Sequence, residues 1–164
     1  NGKIYSFEPT VLNFSLLKEN ISRNNLTNVV PYKIAIGKKN CIREISVFDS
    51  RFHEGSHSFF SKDNSGKKEK VKCVTLRKFI SDEKIKKIDF LKLDCEGSEY
   101  DILYHLPQEI YKKIKIISME AHRLEKDSIK NLIEFLKNKD FDVMTRSFSC
   151  GDAMVFAKNK NFMV

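Results

Sequence analysis

Apolar residues recur along the chain at spacings that predict alternating strands and helices. Two segments repeat apolar residues three and four positions apart, which is the pattern of an amphipathic helix. These residues are Val11, Phe14, Leu17 and Ile21 in the first segment and Ile129, Leu132, Ile133 and Leu136 in the second. Thr10 precedes the first helix and can cap it. Shorter helices are predicted over Leu76–Ile80 and near Ser98–Leu103.

Short apolar runs between turn residues predict the strands. The strands are Lys3–Glu8, Val29–Ile36, Ile42–Phe48, Val71–Val74, a run ending at Asp94, Ile114–His122, Phe141–Thr145 and Ala153–Ala157. Strands that alternate with helices predict an α/β fold with a doubly wound, mostly parallel sheet, and the last two strands can only form an antiparallel hairpin. A length of 164 residues predicts a single domain over residues 1–164, with residues 41–74 as a strand and loop insertion.

The composition is that of a globular protein, with 41% apolar and 32% charged residues and no apolar run that could span a membrane. The net charge of +8 is spread along every segment, which favours a solvated surface over a nucleic-acid or membrane site. The cysteines, Cys41, Cys73, Cys95 and Cys150, have neither zinc-like nor Cys-x-x-Cys spacing. They predict thiols in a reducing, cytoplasmic environment.

Two carboxylates mark the end of one predicted strand. Asp94 and Glu96 have the two-residue spacing that puts side chains on one face of an extended segment. Because burying unpaired charge is unfavourable, acids at the end of a buried strand indicate a site rather than a stabilising feature. Glu120 and His122 have the same spacing at the end of another strand. If the two strands are neighbours, four titratable groups converge on one sheet edge.

Glu8 ends the first predicted strand and has two interpretations. In doubly wound nucleotide-binding folds, an acid at a strand end accepts hydrogen bonds from ribose hydroxyls. A carboxylate just before a helix also interacts favourably with the positive end of the helix dipole. The residue alone does not separate the two interpretations.

The ordered set of strand-end motifs resembles FkbM-type methyltransferases. The motifs are Ser6-Phe7-Glu8-Pro9, Asn20-Ile21, Asn24-Asn25-Leu26, Ala35-Ile36, Leu91-Lys92-Leu93-Asp94-Cys95-Glu96-Gly97-Ser98-Glu99 and Met119-Glu120-Ala121-His122. Their order and spacing match across nearly the whole chain, and the Lys-x-Asp-x-Glu-Gly-x-Glu core is the most discriminating part. The resemblance implies a class I methyltransferase (Rossmann-like) fold, S-adenosylmethionine as cofactor, and methylation of hydroxyls on sugars, glycans or natural products.

The same resemblance implies roles for individual residues. Glu8, with Pro9 beside it, would hold the cofactor ribose. Ala35 and Ile36 would border the adenine, and Asp94 would lie beside the methionine end. The family's first strand and glycine-rich turn are expected before residue 1, so this chain alone is expected to be inactive.

The chemistry of methyl transfer suggests catalytic roles at the other strand ends. A hydroxyl becomes a good nucleophile only when a base or a metal removes its proton. His122 has the right intrinsic pKa for that base, and Glu120 and Glu96 can orient it or bind acceptor hydroxyls. The carboxylates can also hold a hard divalent cation, but the sequence does not require one and we assign no metal ligand.

Two other classes of function stay open. A nicotinamide-dependent oxidoreductase also uses a ribose-binding acid, but it needs a Gly-x-Gly-x-x-Gly turn and leaves residues 94–99 unexplained. A non-enzymatic polyanion-binding module needs clustered Lys and Arg with stacking aromatic residues, whereas most Phe residues fall at core-spaced positions. The choice of acceptor, a small molecule or a glycan, is expected to lie in Phe52–Lys70, including Glu54–Ser58. Richness in Lys, Asn and Ile suggests a bacterial, AT-rich genome.

Overall fold

The computed structural model describes residues 2–47, 67–124, 128–148 and 151–162 of the chain. The chain divides into two compact units, Asn1–Thr75 and Leu76–Val164. Within the described ranges, no helix is both long and apolar enough to cross a membrane.

Within its described part, residues 2–47 and 67–75, the first unit contains two small sheets. Its elements are β1 (Ile4–Phe7), α1 (Val11–Arg23), β2 (Val29–Tyr32), β3 (Ala35–Ile36), β4 (Cys41–Val47) and β5 (Lys67–Val74). Strands β1 and β2 pair in parallel, and the second sheet has the order β3-β5-β4. In that second sheet, β3 is parallel to β5 and β4 is antiparallel to it.

The stretch predicted as one strand, Val29–Ile36, is two strands. Strand β2 pairs with β1, and its last residue, Tyr32, lies opposite Phe7. Strand β3 begins at Ala35, which lies opposite Cys73 of β5. The prediction of one strand is wrong, because residues 33–34 carry the chain from one sheet to the other. A mainly apolar stretch does not reveal that its two parts pair with different strands.

The start of α1 is held by two carboxylates. Thr10 occupies the N-cap position, but its side chain makes no capping hydrogen bond, contrary to the prediction. Instead, Glu8 Oε1 accepts hydrogen bonds from the Thr10 backbone N–H at 2.8 Å and from Thr10 Oγ1 at 2.7 Å. The Glu69 carboxylate accepts from the Val11 N–H at 3.0 and 3.2 Å. Carboxylates therefore satisfy an amide at the helix start, where the helix dipole also favours their negative charge.

The second sheet of this unit has a small apolar core. Its buried members are Ala35, Ile45, Val71 and Cys73. Cys41 lies opposite Cys73 in the β4–β5 ladder, and both residues are thiols rather than halves of a disulfide, as is Cys95. Cys150 lies outside the described residues. Gly37 follows β3, and a Cβ at this position would lie 2.7 Å from Cys73 Sγ, so a larger residue would force the Cys73 side chain to shift.

In its described residues, the second unit is one mixed sheet with four helices. Its elements are α2 (Leu76–Asp82), β6 (Leu91–Leu93), α3 (Ser98–Tyr104), α4 (Gln108–Tyr111), β7 (Ile116–Ala121), α5 (Ile129–Lys137), β8 (Phe141–Ser147) and β9 (Ala153–Asn159), followed by a 3₁₀ turn over Lys160–Phe162. The strand order is β6-β7-β9-β8. The short helix α4 was not predicted, because its four residues are too few to display a helical repeat.

The strand pairings are more evenly mixed than the sequence predicts. Among the described strands, β1–β2, β3–β5 and β6–β7 are parallel, whereas β4–β5, β7–β9 and β8–β9 are antiparallel. The part of the chain that the structure describes is therefore not mostly parallel. One reason is that β4 and β5 form an antiparallel ribbon, and the other is that β9 inserts between β7 and β8.

Strand β7 separates core residues from candidate site residues. Ile117, Met119 and Ala121 are fully buried, whereas Glu120 between them is partly exposed. Because side chains alternate along a strand, Glu120 lies on the opposite face from these three core residues. His122 follows directly after the strand and is also partly exposed.

Asn159 closes the end of β9. Its buried side-chain nitrogen donates to the backbone carbonyls of Tyr111, at 3.0 Å, and Ile114, at 2.8 Å. Its side-chain oxygen accepts from the Asn161 N–H at 3.0 Å. One buried amide therefore ties β9 to the segment between α4 and β7, with both of its donor hydrogens used.

We expect Asn159→Ala to lower the free energy of unfolding by about 2–3 kcal/mol, because it leaves two carbonyl groups without their donor. Equilibrium unfolding in urea measures this change. The matched control is Asn138→Ala, which alters an exposed asparagine after α5 and should change stability by less than about 0.5 kcal/mol. Equal losses in the two variants would contradict the role assigned to Asn159.

Candidate active site

The parallel pairing of β6 with β7 brings three predicted site residues together. Leu93 of β6 lies opposite Met119 of β7, so the chain continues to Asp94 on one strand and to Glu120 on the other. One oxygen of Asp94, one oxygen of Glu120 and one ring nitrogen of His122 all lie within 4.8 Å of one another. The cluster is at the carboxyl ends of two adjacent parallel strands, which is where open α/β sheets bind ligands.

A tight turn after β6 determines the position of Glu96. Glu96 and Gly97 have positive φ angles, 51° and 96°, and the Ser98 N–H donates to the Cys95 carbonyl at 3.1 Å. Glycine adopts the left-handed region without penalty, whereas a non-glycine residue there is uncommon and often marks a functional turn. The turn places Glu96 Oε2 at 3.6 Å from His122 Nε2.

Glu99, in the first turn of α3, is the buried member of the site. Its side chain has 0% exposure, and its Oε1 accepts a hydrogen bond from the Cys95 N–H at 2.8 Å. The same oxygen lies 3.1 Å from His122 Nδ1. Glu99 thus joins the turn after β6 to the residue after β7.

These acids determine the charge of His122. Hydrogen bonding to Glu99 raises the pKa of His122 to about 9, against the opposing effect of burial. The charges of Glu99, Glu96 and Asp152 also contribute to this raised pKa. At pH 7 the imidazole therefore carries a proton on both nitrogens in most molecules. The intrinsic pKa near neutrality that the sequence suggests is not the pKa in the folded protein.

The pKa values of two neighbouring side chains, Glu96 and Cys95, are also raised. Burial raises the pKa of Glu96, and the nearby acids Asp94, Glu99 and Glu120 raise it too, against the lowering effect of His122. Burial raises the pKa of Cys95 to about 12, so Cys95 is a neutral thiol and a poor nucleophile at physiological pH.

Asp94 is the most accessible acid of the site. Its side chain is 46% exposed, and its Oδ2 forms an ion pair with Lys92 Nζ at 2.8 Å. The cluster of Asp94, Glu120 and His122 offers oxygen and imidazole donors that could hold a divalent cation.

The residues expected to contact the cofactor adenosine lie in the first unit. Glu8 follows β1 and is partly buried, as is Pro9, and Ala35 and Ile36 form β3. Glu8 Oε1 is used by Thr10, and no described residue donates to Oε2. These groups fit an adenosine group, because Glu8 Oε2 can accept a hydrogen bond from a ribose hydroxyl and the two β3 residues offer apolar contact.

Three residues near His122 were not assigned a role from the sequence. They are Glu99, Tyr100 and Asp152. The available signal for Glu99 was its place in the most discriminating motif. The structure shows it as a buried acid in the first turn of a short helix. Tyr100 looks like a core residue. Asp152 comes near His122 because β9 pairs with β7, where Ala153 lies opposite Ala121, and periodicity alone does not specify this pairing. The predicted acceptor residues Glu54–Ser58 lie outside the described residues.

The chain is similar in sequence to a known domain. The sequence profile described as Methyltransferase FkbM domain matches residues 1–143. No curated protein matches the chain.

Three solved structures resemble the chain in fold. The methyltransferase FkbM from Methylobacillus flagellatus KT has a TM-score of 0.63 and 16% identity, over 95% of this chain and 36% of that chain. The precorrin-6y C5,15-methyltransferase from Geobacter metallireducens GS-15 has a TM-score of 0.55 and 11% identity, over 98% of this chain and 69% of that chain. The METTL16 MTase domain has a TM-score of 0.52 and 13% identity, over 96% of this chain and 50% of that chain. These identities establish the α/β fold alone, and the chain spans 36% of the length of the first protein.

We expect His122 to make stability depend on pH. Its pKa rises from 6.5 to about 9 on folding, so the folded protein binds this proton more tightly. The stabilisation is fully present below pH 6.5 and is lost as the pH rises through 9, and it amounts to at most roughly 3 kcal/mol. Urea unfolding in EDTA between pH 6 and 10 measures this loss.

The variant His122→Gln should lack this part of the pH dependence. His105→Gln, which changes an exposed histidine after α3, should retain it. Parallel curves for wild type and His122→Gln would contradict the assignment.

Proposed function

The chain belongs to the FkbM methyltransferase domain family, and from this premise we propose that the full-length protein transfers a methyl group from S-adenosylmethionine to a hydroxyl of a sugar, glycan or natural product. The observation that carries the proposal is the family match over residues 1–143, which includes the strand ends with Asp94, Glu120 and His122. A cluster of carboxylates and an imidazole is suited to binding hydroxyl groups and removing a proton from one of them.

The first unit supplies the proposed adenosine contacts. Glu8 Oε2 would accept from a ribose hydroxyl while Oε1 keeps its bonds to Thr10. Ala35, which is buried, and Ile36, which is partly buried, would border the adenine, with Pro9 beside the ribose. The assignment of Asp94 to the methionine end stays a prediction from the family. When bound, S-adenosylmethionine supplies an electrophilic methyl group on a sulfonium centre.

On the acceptor side, we assign His122 as the general base. Its Nδ1 faces the buried Glu99, so Nε2, which lies 3.6 Å from Glu96 Oε2, is the nitrogen available to a hydroxyl proton. Glu96 would stabilise the imidazolium that forms. Glu120 and Asp94 would accept hydrogen bonds from other acceptor hydroxyls or hold a divalent cation.

The raised pKa of His122 gives this mechanism a specific pH dependence. Only the neutral imidazole accepts a proton, and the pKa of about 9 keeps that form scarce at pH 7. Turnover should therefore increase with pH up to about 9. A base of higher pKa is also stronger, which suits the weakly acidic hydroxyl of a sugar.

The family match favours this function over the two alternatives. An oxidoreductase leaves the acids at residues 94–99 without a role. A polyanion-binding module would need a dense basic surface, but the exposed lysines Lys68 and Lys70 of β5 share their strand with Glu69, and Glu44 lies opposite Lys70. No described feature therefore favours either alternative.

We expect the full-length protein to add one methyl group to a hydroxyl-bearing acceptor. Mass spectrometry after incubation with S-adenosylmethionine carrying a labelled methyl group, and with sugars, glycans and lipid-linked glycans, measures the transfer. His122→Ala should reduce turnover by about 10²–10⁴-fold with cofactor binding retained, because the base is lost. The matched control is His105→Ala, which removes an exposed histidine and should leave turnover unchanged.

Glu120→Gln should also lower turnover, because the amide binds hydroxyls and cations less strongly than the carboxylate. Tight binding of NAD without affinity for S-adenosylmethionine would reject the proposed function. Full activity in His122→Ala would place the base elsewhere and leave only a binding role for this residue.

We expect Glu8→Gln to weaken S-adenosylmethionine binding by about 1.5–3 kcal/mol, because charge-assisted hydrogen bonds to the ribose are lost. The melting temperature without cofactor should barely change, since the amide oxygen can still accept from Thr10. Isothermal titration calorimetry and a thermal unfolding curve measure the two effects. Glu44→Gln, an exposed change in β4, is the control. An unchanged dissociation constant would restrict Glu8 to its role at the start of α1.

A further inference from the structure

We propose that Glu99 is the positioning residue of His122, holding the imidazole by Nδ1 so that Nε2 is presented to Glu96 and the acceptor. The inference rests on the proposed function for its catalytic consequence. The orientation of the ring, however, can be tested without any substrate.

The first support is the geometry at one oxygen atom. Glu99 Oε1 accepts from the Cys95 N–H at 2.8 Å and lies 3.1 Å from His122 Nδ1. A backbone N–H is a fixed donor, so it holds the carboxylate in place. The carboxylate in turn holds the imidazole, and the turn after β6 is thereby linked to the residue after β7.

The second support is a neighbouring contact from the same helix. Tyr100 is buried, and its hydroxyl donates to the His122 carbonyl at 3.0 Å. Two successive residues of α3 therefore bind His122, one through the ring and one through the backbone. Because the backbone is held by Tyr100 and the ring is held at Nδ1, the side chain has little freedom to rotate Nε2 away from Glu96.

The third support is the unfavourable burial of Glu99. Its side chain is fully buried, and Oε2 has no hydrogen-bond partner among the described residues. A half-satisfied buried carboxylate is weak evidence for a stabilising role, because an apolar residue of similar size often serves stability as well or better. We therefore attribute the carboxylate at this position to its role in orienting the His122 ring.

The two nitrogens of the His122 imidazole have different roles in this arrangement. A neutral histidine carries its proton on one nitrogen, and a carboxylate acceptor at Nδ1 keeps the proton there. Nε2 is then left with the lone pair that takes a proton from a hydroxyl. The other acids around the ring are Glu96, Asp152, Asp94 and Glu120, and in the described residues only Glu99 hydrogen-bonds the ring.

The test compares two replacements of Glu99 in the full-length protein. Glu99→Gln retains an oxygen that accepts from Nδ1–H and from the Cys95 N–H, whereas Glu99→Met has similar length but no acceptor. Nitrogen-15 NMR of the His122 ring at pH 10, where the ring is neutral, reports which nitrogen carries the proton. We expect the Nδ1–H form in wild type and Glu99→Gln, and a mixture of both forms in Glu99→Met.

Enzyme kinetics can distinguish a positioning role of Glu99 from a role in folding. Glu99→Met should lower kcat by about 10–10²-fold, because loss of a group that orients an active histidine has effects of this size. KM for S-adenosylmethionine should stay unchanged, and Glu99→Gln should recover most of the lost kcat. A merely structural role would instead lower the melting temperature without changing the ring tautomer.

Glu96→Gln is the matched control for charge. It removes a carboxylate near the same imidazole, but on the Nε2 side, so the Nδ1–H form should persist. A wild-type ring protonated on Nε2 at pH 10 would overturn the proposal, even if Glu99→Met fails to fold. Absence of methyl transfer with every acceptor would reject the proposed function alone, because the ring measurement uses no substrate.

Discussion

The contact between Glu99 and His122 is the interaction on which the candidate site depends. It connects α3 to the end of β7 through a fully buried carboxylate, and the same oxygen binds the turn after β6. Because α3 follows that turn directly, these contacts link the helix, the turn and the two strand ends. Moving Glu99 would disturb the charge and the orientation of His122 at the same time.

The concentration of acids at this sheet edge is costly for folding and suited to function. Burial raises the pKa of Glu96, and the negative charges of Asp94 and Glu120 raise it too. The site reduces the repulsion in two ways, through the proton on His122 and through the ion pair of Asp94 with Lys92. A bound acceptor rich in hydroxyls, or a cation, would stabilise the negative charge of the remaining carboxylates, whereas an apolar partner would not.

Sequence reasoning predicted that Asp94, Glu120 and His122 lie close together, but it did not predict the contact of His122 with Glu99. The spacing of two within Asp94–Glu96 and Glu120–His122, with parallel strands, is enough to bring these residues together, because register and alternation are regular. The family resemblance is confirmed by the match over residues 1–143. Glu99 was missed because its role depends on a turn with two successive positive φ angles, which has no periodic signature. The break between β2 and β3 was missed because hydrophobic periodicity does not show that the two parts of this stretch pair with different strands.

The pKa of His122 also follows from packing rather than from residue type. A free imidazole titrates near neutrality, but the buried Glu99 shifts the balance towards the imidazolium. That shift makes the neutral form rarer and makes it a stronger base once formed. For a weakly acidic hydroxyl the gain in base strength offsets part of the loss in population, because proton transfer to a stronger base is more favourable. A carboxylate behind the histidine is therefore consistent with an acceptor that holds its proton tightly, such as a sugar hydroxyl, and less suited to one that loses its proton readily.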